Sequence, residues 1–151
     1  MNLFRTAGNG GAARLTTPRI RDLLRKPTRQ AASDLQTLIA ASNYAISLFY
    51  LKSFKEGKSL LRKSILVAQR AHGENDEITV KMRSLYAQSL YADDGATLDD
   101  LREAVSTLEA TARTARRVFG ISHPLTKDIE ADLRLSRAMV RARETPSPRT
   151  A

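Results

Sequence analysis

The feature that most constrains this chain is that it repeats itself. The runs Gly73-Glu-Asn-Asp-Glu-Ile-Thr79 and Gly120-Ile-Ser-His-Pro-Leu-Thr126 each follow a long helical pattern and lie 47 residues apart. One helix earlier, Phe54-Lys-Glu-Gly57 and Leu101-Arg-Glu-Ala104 stand at that same offset of 47, whereas Asn43-Tyr-Ala45 and Leu85-Tyr-Ala87 stand 42 apart. The difference is an insertion in the loop between Asp93 and Asp100. A unit of about 42 residues thus occurs twice and is followed by a final half-unit. Each such unit is too small to bury its apolar face alone, so the copies must stack.

The units are helical. Hydrophobic residues make up 42% of the chain and aromatic ones only 5%, with Leu, Ala and Ile carrying most of the apolar content, as in packed helices. Leu35, Leu38, Ile39, Ser42, Ile46 and Phe49 recur at spacings of three and four, which predicts a first helix from Ser33 to about Leu51. A second carries Phe54, Leu60, Leu61, Ile65, Leu66 and Ala68 and stops at Gly73, a residue that tolerates the left-handed backbone past a helix end. A third spans about Asp76 to Ala92. The fourth opens at Thr97 with Asp100 three residues on, a variant of the capping box, and closes at Gly120. The fifth starts near Ser122, with Pro124 in its first turn, and runs to about Glu144.

The net charge of +9 suggests a nucleic-acid partner until it is located along the chain. Most of it lies in residues 1–33, which hold seven Lys or Arg against the single acid Asp22, while the repeat region is nearly neutral. Residues 1–32 read as a basic, largely disordered arm with one short helix between Pro18 and Pro27, residues 33–144 as the repeat domain, and 145–151 as a Pro-rich disordered tail. The arm fits either an organelle transit peptide or a retained tail for nucleic acid, anionic lipid or an acidic protein. Cysteine is absent, which excludes disulfides and thiolate metal sites, and no apolar run is long enough to span a membrane. The expected setting is intracellular, cytoplasmic unless the arm directs import.

A helix-turn-helix unit of this length, with Tyr44, Ala45 and Leu48 then Tyr86, Ala87 and Leu90 in its first helices, resembles the tetratricopeptide repeat. Phe54, Gly57 and Leu61 then Leu101, Ala104 and Leu108 match in its second helices. The linker Gly120-Ile-Ser-His123-Pro124 is similar to that of the longer kinesin light chain-like variety. The resemblance covers about residues 34–144. It departs at Lys52, where the family's turn has glycine, and at Asp76-Glu77, where histidine-proline would stand. Residues 85–120 also resemble repeats of algal and other protist proteins, some with an upstream MYND-type zinc finger that this cysteine-free chain cannot carry. The chain reads as a shortened member or a segment of such a protein. The resemblance implies an all-α, short right-handed solenoid of antiparallel helix pairs, about two and a half units long. It also implies a ligand on the concave face of the first helices, at Ser42, Asn43, Ile46, Phe49, Tyr50, Lys81, Ser84, Gln88 and Tyr91. Asn43 would hold a peptide backbone or terminal carboxylate, and Lys81 a partner charge.

Plainer roles compete with these. Asn43 can serve a network between helices, Lys81 can be a solvated lysine, and Tyr44, Phe49, Tyr50 and Phe54 can be packing residues rather than a stacking platform. Arg113, Arg116, Arg117, Arg134, Arg137, Arg141 and Arg143 form a basic surface that either keeps the last repeat soluble or binds phosphates. Asp93, Asp94, Asp99 and Asp100 lack calcium-loop spacing and suit turns and caps, while His72 and His123 have no neighbouring ligand. With no phosphate loop, nucleophile elbow or metalloprotease helix, the sequence reads as a non-enzymatic scaffold that needs no cofactor. Its partner is another protein, and a second copy can cover an open end. The alternative is an RNA- or anion-binding protein using the arm and Arg113, Arg116, Arg117, Arg137 and Arg141.

Overall fold

In the computed structural model, residues 35–145 are described; the arm with its predicted short helix, residues 33 and 34, and residues 146–151 of the tail lie outside them. The described residues form five helices and no strand: α1 (Leu35–Tyr50), α2 (Phe54–His72), α3 (Glu77–Tyr91), α4 (Leu98–Val118) and α5 (Pro124–Glu144). Their bounds fall within one or two residues of those predicted.

Each helix starts and stops for a local reason. Asp76 Oδ1 accepts from the Ile78 amide at 3.0 Å, and His123 Nδ1 accepts from the Leu125 amide at 3.2 Å. These residues are repeat counterparts, so aspartate and histidine perform one N-cap task. Thr97 and Asp100 complete the predicted capping box at the start of α4, and bonds from the Thr97 amide and hydroxyl hold the Asp100 carboxyl below its usual pKa. Gly73 and Gly120 end α2 and α4 at φ of 92° and 87°. At the end of α1, Lys52 adopts φ 57°, with its amide bonded to Phe49 O at 3.0 Å. A lysine therefore occupies the left-handed turn position for which glycine is better suited, at a cost of about 1 kcal/mol.

Successive helices pack on one another, and α3 also touches α1 and α5. Ten of the fifteen α3 residues are buried, which makes it the centre of the core. Small residues at the crossings, including Ala41, Ala45, Ala68, Ala87, Ala104 and Ala115, are almost wholly buried and let the backbones approach closely.

The repeat offset reappears in burial. Gly57, Leu61, Ser64 and Ala68 of α2 are buried, as are their counterparts Ala104, Leu108, Thr111 and Ala115 of α4. Ser64 and Thr111 each bond the carbonyl four residues back. In α3 and α5 the pairs Thr79/Thr126, Met82/Ile129, Tyr86/Leu133 and Ser89/Ser136 are buried, and both serines bond the carbonyl three residues back.

Candidate interaction surface

The residues predicted to form one contact surface occupy two faces and an interior. Ser84 is only 5% exposed and belongs to the core, so it is unavailable to a ligand. Phe49 is half-buried between α1 and α2. Its ring stacks on Phe54 with centroids 6.0 Å apart, and a Cβ at Gly57 would lie 2.6 Å from its Cε1. Glycine at 57 therefore makes room for Phe49, which is a packing residue rather than an exposed contact.

Gln88 and Tyr91 are turned toward α5. Gln88 Nε2 donates to Asp132 Oδ2 at 2.7 Å and the Tyr91 hydroxyl donates to Asp132 Oδ1 at 2.8 Å. Burial, and then the bond to Asp132, raises the Tyr91 hydroxyl above its ordinary pKa. Both side chains thus tie α3 to α5 through a carboxylate that sequence reading overlooked, because the pairing spans more than forty residues.

Of the other predicted residues, Ile46 is half-buried against the core and Lys81 is half-exposed. Asn43 is exposed and its carbonyl accepts from the Ser47 hydroxyl at 3.0 Å, while Tyr50 is 86% exposed beside Leu51 at 74%. The repeat register divides them: Ile46 stands where Gln88 stands in α3, but Asn43 and Tyr50 stand where Leu85 and Ala92 do. Asn43 and Tyr50 are therefore on a flank of α1 and are not in line with Gln88 and Tyr91.

The same register shows what was missed. Asp128, Ala131, Leu135 and Ala138 of α5 are counterparts of Lys81, Ser84, Gln88 and Tyr91, and all four are exposed, Leu135 by 50%. The offset of 47 already identified them in the sequence. No family model, curated protein or solved structure matches the chain. Its own geometry therefore carries the functional reading.

The predicted basic surface is partly neutralised. Arg116 is ion-paired with Glu130, Arg137 Nη2 meets Glu109 Oε1 at 2.7 Å, and Arg117 donates to Asn75 Oδ1 at 2.9 Å. Arg143 donates to the Ala96 carbonyl at 2.6 Å. Arg113, Arg134 and Arg141 are exposed. Asp93 accepts from the Gly95 amide and Asp94 pairs with Lys52, so these carboxylates shape the loop. Among the described residues no cluster of His, Asp or Glu is placed to hold a metal ion, and no helix is long and apolar enough to cross a membrane.

A separate network joins three helices. Arg62 Nε of α2 donates to the Tyr86 hydroxyl of α3 at 2.8 Å, and that hydroxyl donates to Glu103 of α4. The Arg62 guanidinium also lies 5.4 Å from the Tyr86 ring centroid, within cation–π range. The bond to Tyr86 raises the Arg62 pKa, and burial followed by the bond to Glu103 raises that of Tyr86.

Proposed function

We propose that this chain is a non-catalytic protein-protein interaction module, a short right-handed solenoid of about two and a half tetratricopeptide-like units. Its α1, α3 and α5 face would bind an extended or helical segment of a partner. The observation that carries the reading is the run of accessible side chains at equivalent repeat positions, from Ile46 through Lys81 and Gln88 to Asp128 and Leu135. Apolar Ile46 and Leu135 on either side of Gln88, with Lys81 and Asp128 along one edge, suit a peptide whose apolar side chains meet the first two while its polar groups meet the edge. Cytoplasmic or organellar residence, and the arm's part in it, follow only from the composition of residues 1–32.

The test is capture of binding proteins from a native extract by the full chain, followed by affinities measured with variants. Lys81→Glu and Leu135→Asp, both at accessible positions, should weaken a captured protein by about 1 kcal/mol or more each while the helical signal stays unchanged. Retention unaffected by both would sink this reading. The anion-binding alternative is weakened by the partners of Arg116, Arg117 and Arg137. It requires affinity that falls steeply with salt.

A further inference from the structure

The second surface of interest is the outer edge of α4 and α5. Within the chain, α4 follows α2 and α3 in the stack, with Glu103 bonded to Tyr86 and paired with Arg62 at 3.6 Å. One repeat further on, α2 and α3 become α4 and α5, and no described helix follows. Leu90, buried in α3, is replaced there by exposed Arg137, and Arg62 by Glu109. Between α4 and α5 lies an open groove of about 350 Å³, with half-buried Val105 and Val140 among the residues lining it, beside Arg102, Glu109, Arg137 and Arg141.

Charge identifies the occupant. Arg102 is engaged by Glu144 at 2.8 Å and Asp99 at 3.5 Å, and Arg137 by Glu109. Arg141 makes no ion pair among the described residues, and neither do exposed Arg134 and Lys127, one and two heptads earlier on α5. Residues seven apart return to nearly the same side of a helix, so these three form one line of uncompensated positive charge beside an apolar groove. A second copy docked by this same face would bring the same cations against them. A groove between two helices accepts the ridge of a third.

We propose that the α4–α5 groove docks an acidic amphipathic helix of another protein. Small aliphatic side chains of that helix would meet Val105 and Val140, and carboxylates spaced by about one heptad would meet Lys127, Arg134 and Arg141. This surface is separate from the α1, α3 and α5 face, although both belong to the interaction-module reading.

The test uses the full chain and two labelled helical peptides of about 20 residues with the same leucine and alanine stripe, one flanked by glutamates and the other by lysines. In fluorescence anisotropy the glutamate peptide should bind roughly ten-fold or more tightly than the lysine peptide. Reversing Arg134 and Arg141 together to glutamate should remove most of that difference, and Val140→Asp should weaken the glutamate peptide alone, with melting curves confirming the fold. Lys81→Glu should leave peptide binding unchanged. Equal binding of the two peptides, no binding of the glutamate peptide, or indifference to Arg134 and Arg141 would overturn the proposal. So would a groove occupied by a second copy, seen as a dimer lost in Val140→Asp, or by an oligonucleotide whose binding depends on Arg134 and Arg141 while the glutamate peptide does not bind. A captured protein sensitive to Lys81→Glu but not to the arginine reversals would leave the interaction module standing and remove only this docking site.

Discussion

Helices α3 and α5 align at the 47-residue offset of the sequence, yet they keep only half of their faces in common. On one half, Thr79, Met82, Tyr86 and Ser89 of α3 and Thr126, Ile129, Leu133 and Ser136 of α5 are all buried. On the other half, Val80, Ala87 and Leu90 of α3 are buried, but their counterparts Lys127, Arg134 and Arg137 are exposed cations. Helix α1 shows the reverse loss: Leu38, Ala45 and Leu48 repeat the buried Val80, Ala87 and Leu90, whereas Asn43 and Ser47 are exposed where Leu85 and Ser89 are buried. Among the described residues, α1 and α5 thus each keep one face of the α3 pattern and carry polar residues on the other. Charges at such positions keep an open end from pairing with whatever apolar surface it meets.

Exchanging residues across this comparison should produce the largest effect. Ala87→Arg puts the α5 residue into α3, where the site is fully buried, and should cost more than about 3 kcal/mol because an unpaired charge loses its water. Arg134→Ala, the reverse exchange, should stay within about 0.5 kcal/mol, and urea unfolding of both variants measures the asymmetry.

Next comes the link between the two helices. Asp132→Ala leaves the Gln88 amide and the Tyr91 hydroxyl without their acceptor and should cost about 2 kcal/mol. The raised Tyr91 pKa adds a pH signature. Folding opposes ionisation of this phenol, so its contribution is complete below the free tyrosine value of about 10 and is lost as pH rises toward the folded value. Tyr91→Phe should flatten the decline in stability above that pH.

A buried hydroxyl separates the helices more finely. Thr79 Oγ1 donates to the Gly73 carbonyl at 2.8 Å, while Thr126 Oγ1, its counterpart, is buried without a hydrogen-bond partner among the described residues. Thr79→Val should cost about 1 kcal/mol, whereas Thr126→Val should be neutral or stabilising. Thermal melts of the two variants would then shift apart. The smallest change expected is Lys52→Gly, which should add about 0.5–1 kcal/mol by relieving the positive φ, since the Lys52–Asp94 pair it removes is largely exposed.

Helix bounds, caps and repeat offsets were legible in the sequence because they depend on neighbouring residues: Thr97 with Asp100, Gly73, Gly120 and the spacing of Leu38, Ala45 and Leu48. Exposure was legible only where the following helix could be inferred. The repeat resemblance alone puts Ser84 and Phe49 on a ligand face, but burial of one and the close fit of the other against Gly57 depend on contacts between helices. Asp132 escaped notice because a carboxylate on the last helix looks like an ordinary surface residue until Gln88 and Tyr91 reach it. The offset locates Asp128, Ala131, Leu135 and Ala138 on α5, but two alanines, a leucine and an aspartate carry little recognisable chemistry until the packing shows them exposed together.

The most direct test of how the stack ends is sedimentation equilibrium of Lys127→Val, Arg134→Ala and Arg137→Leu combined, which gives α5 the face of α3. If charge at these positions terminates the stack, the variant should self-associate with rising concentration well beyond the parent chain while keeping its helical content. A variant with the same mass distribution as the parent would contradict the account, because the cations would then not be what keeps the α5 end open.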